Sequence, residues 1–101
     1  GFTTPLSLNQ RPLPNSFRFA QPYPNPFNPS TSISFSLDKD QSIILQIYNM
    51  RGQLINTLID EKVIAGDHSL YWKPYNLGSG IYFIQLSNGI TTQIKKVIYL
   101  K

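Results

Sequence analysis

Cysteine is absent from this chain of 101 residues, and histidine occurs once. Without thiols there is neither a disulfide framework nor a thiolate metal site. With His68 as the lone imidazole, the chain has few of the bases that a hydrolase needs. Charge is scarce too: nine basic and five acidic residues give a net charge of +4. That excess reads as an ordinary polar surface, or as a basic patch if Lys95, Lys96 and Lys101 are displayed together. No apolar run approaches the roughly 18 residues of a spanning helix, so no membrane insertion is expected. The first residues lack a basic stretch leading into an apolar one, so no signal peptide is expected in this chain. The length bounds the chain to one domain with a single modest core.

Proline and alternation are what the chain has instead. Residues 1 to 16, through Pro12, Pro14 and Asn15, have no periodicity and read as a linker or the tail of a preceding domain. Residues 17 to 101 then form the domain. The stretch from Tyr23 to Thr31 packs three prolines, two asparagines and two aromatics into nine residues. Each proline fixes its own φ and restricts the residue before it, so a rigid, extended lead-in is expected. Such a segment is suited to laying Tyr23 and Phe27 onto a neighbouring surface.

From Ser32 onward the hydrophobic period is two. Ile33, Phe35 and Leu37 alternate with serines as in a half-buried strand. Ile43 to Tyr48 is apolar on both faces, which suggests a central strand. Asn49-Met50-Arg51-Gly52 is a turn into a strand over Gln53 to Ile59, with Ile55 and Ile59 expected opposite Leu54 and Leu58. After the break at Ala65-Gly66-Asp67, His68, Leu70 and Trp72 share one face, and Ser69 and Tyr71 the other. Ile81 to Leu86 is a further strand, and Asn88-Gly89 is a hairpin signal in which both residues tolerate positive φ. A last strand over Ile90 to Leu100 is long enough to need a bend or bulge. About seven short strands with turns at this spacing predict an all-β fold, an antiparallel Ig-like β-sandwich.

The chemistry-bearing residues do not assemble into a catalytic motif. Asp67, His68 and Ser69 are neighbours on a strand and point to opposite faces, so they cannot converge as a triad. Asp38-Lys39-Asp40 lacks the glycine and distant glutamate of a calcium loop and reads as a hairpin turn. Gly78-Ser79-Gly80 leads into a strand, which excludes a helix-borne phosphate loop. No enzyme activity, cofactor or metal is expected. The basic residues are too dispersed for nucleic acid. Trp72 alternates with Leu70 and belongs to the core, whereas Tyr71 and Tyr75 are candidates for a carbohydrate-contacting platform.

A series of short words carries a family resemblance: Phe19 to Pro29, Thr31 to Leu37, Ile47 to Gln53, Ala65 to His68, Gly78 to Phe83, and Lys95-Lys96. Together they resemble the type A C-terminal sorting domain of proteins exported by the bacterial type IX secretion system. The series is also similar to the Ig-like domain of the flagellar hook-capping protein. The resemblance covers roughly residues 17 to 101, and departs where Lys73-Pro74 follows the tryptophan. It implies a non-catalytic sorting domain that directs a larger exported protein through the periplasm and across the outer membrane, to the cell surface or the medium. The implied partners are the outer-membrane translocon, a sortase-like peptidase cutting the linker around residues 1 to 18, and a covalently attached N-terminal cargo domain. The signal peptide would then lie on the parent protein. Recognition would rest on Pro24, Asn25 and Pro26, on Gly80 and Tyr82, and on Lys95, Lys96 and Lys101. Gly80 would supply a backbone conformation barred to other residues, and Tyr82 would bury its ring while bonding through its hydroxyl. Two other classes fit the composition: an accessory carbohydrate-binding module of a secreted glycoside hydrolase, using Tyr71 and Tyr75, and a structural spacer or assembly domain.

Overall fold

The computed structural model describes residues 17–101. The linker expected over residues 1 to 16 lies outside the described residues. Seven strands form two antiparallel sheets: β1 (Phe17–Phe19), β2 (Thr31–Leu37), β3 (Gln41–Asn49), β4 (Leu54–Val63), β5 (Gly66–Trp72), β6 (Gly80–Ser87) and β7 (Thr92–Tyr99). One sheet has the order β1-β2-β5, the other β4-β3-β6-β7. This is the expected sandwich, with β3, β4, β6 and β7 in the larger sheet and β1, β2 and β5 in the smaller.

The period-two pattern explains the layers. In β2, Thr31, Ile33, Phe35 and Leu37 are buried while the serines between them are not. In β3 and β6 the buried sets are Ile43, Leu45, Ile47 and Tyr82, Ile84, Leu86. These inner faces meet in one cluster that also takes in Phe17, Phe19, Phe27, Trp72, Val97 and Tyr99. Each such side chain contributes about 1.5–3 kcal/mol on burial. No buried side-chain nitrogen or oxygen among the described residues lacks a hydrogen-bond partner.

Three sequence expectations need correction. In β4 the alternation fails. Leu45 pairs with Ile59 and Gln46 with Thr57, then Ile47 with Asn56 and Tyr48 with Leu54, so Leu58 and Ile55 are extra residues. Each bulge flips the faces that follow it. Ile55, Leu58 and Ile59 therefore all pack against the core, and Leu54 is left exposed.

The bend expected in the last strand is absent, because β7 pairs with β6 without interruption from Gly80↔Tyr99 to Ser87↔Thr92. The strand starts at Thr92, not Ile90, because the Asn88 side chain holds a wider loop. Its Oδ1 accepts from Ile90 N–H (2.9 Å) and Thr91 N–H (2.7 Å). Only Gly89 of the expected pair takes a positive φ, at 91°.

The proline-rich segment is the third difference. It is a bent strap that touches both sheets. Tyr23 forms a bridge with Ser32 in the smaller sheet, and Phe27 a parallel bridge with Tyr99 in the larger. The peptide bonds Tyr23-Pro24, Asn25-Pro26 and Asn28-Pro29 are all cis. Phe27 is laid inward as expected, at 2% exposure. Tyr23 is not, and stands 78% exposed.

Candidate functional site: the strap and the lysine-bearing strand

β7 is an edge strand, and an edge strand presents unpaired backbone groups. Its outer side from Lys96 to Leu100 is taken up by the strap. Phe27 N–H donates to Ile98 O (2.9 Å) and Leu100 N–H donates to Phe27 O (3.0 Å). Asn25 covers the next groups with its side chain: Nδ2 donates to Lys96 O (3.1 Å) and Oδ1 accepts from Ile98 N–H (2.9 Å). A carboxamide has the donor and acceptor of a peptide group, so Asn25 extends the ladder from between two prolines that cannot donate. Gln21 Nε2 also reaches Lys96 O (3.1 Å), a contact that sequence reasoning missed. Thr31 Oγ1 ties the strap back by donating to Pro24 O (2.8 Å).

Aromatic packing fixes the same junction. The Phe27 ring stacks on Tyr99 at 5.2 Å between centroids and tilts against Trp72 at 5.6 Å. Trp72 in turn meets the edge of Tyr82 at 5.5 Å. Such pairs add about 0.5–1.5 kcal/mol each beyond the area they bury.

Gly80 and Tyr82 behave as their residue types suggest. Gly80 opens β6 at φ 153°, a region that residues with a Cβ rarely adopt. Tyr82 buries its ring and donates from its hydroxyl to Gly78 O (2.8 Å), four residues upstream. This is the tyrosine corner of sandwich folds, near the start of the sixth strand. Both residues turn their chemistry inward.

The basic residues do not form one patch. Lys95 and Lys96 are neighbours on a strand and take opposite faces. Lys95 is half-buried, with Nζ 6.0 Å from the centre of the Phe19 ring. It reaches from the larger sheet to Phe19 of β1 in the smaller and makes a cation–π contact of about 0.5–1 kcal/mol. Lys96 is exposed on the outer face opposite Phe83. Lys101 is exposed as well, and its backbone N–H donates to Ser79 Oγ (2.7 Å).

The remaining candidates are dispersed. His68 Nε2 donates to Ile64 O (2.7 Å) and its ring stacks on Phe35 at 5.4 Å. Asp67 and Ser69 lie on the other face of β5, across from Ser36 and Ser34. Asp40 joins the β2–β3 turn to the β4–β5 turn by accepting from Ala65 N–H at 2.8 Å. Among the described residues no group of three or more metal-ligating side chains comes together. Tyr71 is 76% exposed on β5, and Tyr75 is 89% exposed in the loop before β6.

Comparison with known proteins agrees with this architecture. Among solved structures, the chain is similar to dimeric latent PorU from Porphyromonas gingivalis, at 18% identity and a TM-score of 0.67. That match covers 89% of this chain and 10% of the PorU chain, and at that identity it speaks to the fold. No curated protein matches. The family model described as the secretion system C-terminal sorting domain matches residues 21–100, from the strap to the end of β7. The chain therefore belongs to the C-terminal sorting domain family of the type IX secretion system, a signal that marks proteins for export to the cell surface or the extracellular space.

Proposed function

We propose that the secretion machinery reads this domain folded, at the lysine-bearing end of β7, and that the strap's role is to hold that strand in one shape. The observation that carries the reading is the convergence of Gln21, Asn25 and Phe27 on the Lys96–Leu100 backbone. A strand end with its hydrogen bonds already made cannot be read by strand addition there. Its side chains are what a receptor meets, and Lys96 and Lys101 are the exposed charges on it. Lys95, Gly80 and Tyr82 serve the fold that presents them. Pro24, Asn25 and Pro26 serve the strap.

The domain itself is non-catalytic in this reading. Its partners are the outer-membrane translocon and a sortase-like peptidase, with cargo attached on the N-terminal side. The cut falls before Phe17, because Phe17 is buried in β1 opposite Leu37. That narrows the expected region of residues 1 to 18 at its far end.

The test is export of a reporter. The full chain is fused behind a signal peptide and a fluorescent protein in a bacterium carrying the type IX machinery. Fluorescence at the surface or in the medium is the expected result. A folded fusion that stays in the periplasm would refute the reading and favour a spacer or assembly domain.

A further inference from the structure

The outer face of the β1-β2-β5 sheet is a second, separate surface, and the register defines it. Residues directly opposite one another in antiparallel strands share a face. Tyr23 bridges to Ser32, and Ser32 pairs with Tyr71. Ala20 N–H donates to Ser34 O (3.0 Å), and Ser34 pairs with Ser69. Arg18 pairs with Ser36, and Ser36 with Asp67. All three rows point outward, since Ile33, Phe35 and Leu37 between the serines are buried.

The result is a trough. Its floor is the serine column of β2, with the Ser34 and Ser69 hydroxyls 2.8 Å apart. At one end stand the two tyrosines, 78% and 76% exposed. Ser32 exchanges both backbone hydrogen bonds with Tyr23 (2.8 and 3.2 Å). The Ser32–Tyr71 pair is then the closer, non-bonded kind, and the two tyrosine Cα atoms lie about 10 Å apart. At the other end Arg18 and Asp67 face each other across Ser36 and line a groove that reaches as far as Ala20, Ser34 and Ser69. From the tyrosine row to the Arg18 row is about 13 Å of strand.

We propose that this trough binds a neutral oligosaccharide chain. Serine hydroxyls donate and accept, which matches a ligand made of hydroxyls. Tyrosine rings offer apolar faces for sugar C–H groups and keep a polar tip in water. One cation and one anion leave the surface without net charge, so it selects against polyanions. Tyr71 thus has Tyr23 as its partner on the face, whereas Tyr75 sits in the loop outside the sheet.

The experiment is an NMR titration of the full chain with β-1,4-gluco-, β-1,3-gluco- and manno-hexaoses, with polygalacturonate as the anionic arm. Saturable binding of at least one neutral hexaose is expected, with shifts concentrated on β1, β2 and β5. Tyr23→Ala and Tyr71→Ala should each weaken it about tenfold, and Tyr75→Ala should leave it unchanged. Ser34→Arg, which fills the floor, is the second kind of variant and should abolish it. The spectra report folding of every variant. The proposal is overturned if no neutral chain binds, if only the polyanion binds, if the folded Tyr23 or Tyr71 variant binds a neutral chain as tightly as the parent, or if the folded Ser34 variant still binds.

Discussion

The two outer faces of this sandwich are built from the same period-two strands and have opposite chemistry. On the smaller sheet, Ser32, Ser34, Ser36 and Ser69 make a face of hydroxyls. On the larger sheet, Leu54, Tyr48 and Phe83 lie across three adjacent strands, with Lys96 opposite Phe83 on the fourth. Ile44 and Ile94 lie on the same outer face, and Ile94 is 57% exposed. The comparison teaches that inner faces here are interchangeable in kind and outer faces are not. Fold is written on the first, and the second is where the two sheets differ.

The largest perturbation of that division is at the strap, which ties the two sheets together. Phe27→Ala should cost about 3–5 kcal/mol, a large share of the 5–15 kcal/mol typical of a domain. Denaturant unfolding would show it as a lowered midpoint, and a loss under 1 kcal/mol would mean the strap is not structural. Gly80→Ala comes next. The new Cβ meets no atom within 4 Å, so its cost is backbone strain alone, about 1–3 kcal/mol.

Smaller effects sharpen the contrast between neighbouring lysines. Lys95→Ala should lower stability by about 0.5–1 kcal/mol, through the lost contact with Phe19. Lys96→Ala should change it by less than about 0.5 kcal/mol. Equal losses in paired melts would contradict the assignment of the two side chains to opposite faces. Ile94→Ser should likewise stay within about 0.5 kcal/mol, because the side chain is already more exposed than buried on the open face.

Most of the fold was legible in the sequence because alternation was clean where one face met serine. β2 is the clearest case, and His68, Leu70 and Trp72 share an inner face as their spacing demands. β4 was not legible. A bulge adds a residue without leaving a glycine or proline to mark it, so Leu58 and Ile59 both turn inward. The sequence-derived site was partly visible. Gly80 and Tyr82 carry their structural parts in their own chemistry, whereas nothing in Pro24-Asn25-Pro26 shows that the Asn25 side chain stands in for backbone beside β7. Pairings at long range were hidden. Nothing local says that Gln21 and Asn25 meet Lys96, or that Tyr23 and Tyr71 flank one serine, because register across distant strands decides both.

The most direct measurement is export of the fluorescent reporter carrying Lys96→Glu and Lys101→Glu together. Both side chains are exposed, so the domain should fold and melt as the parent does. The expected result is a folded fusion that accumulates in the periplasm. Delivery to the surface at the parent's efficiency would contradict recognition through the lysine-bearing end of β7.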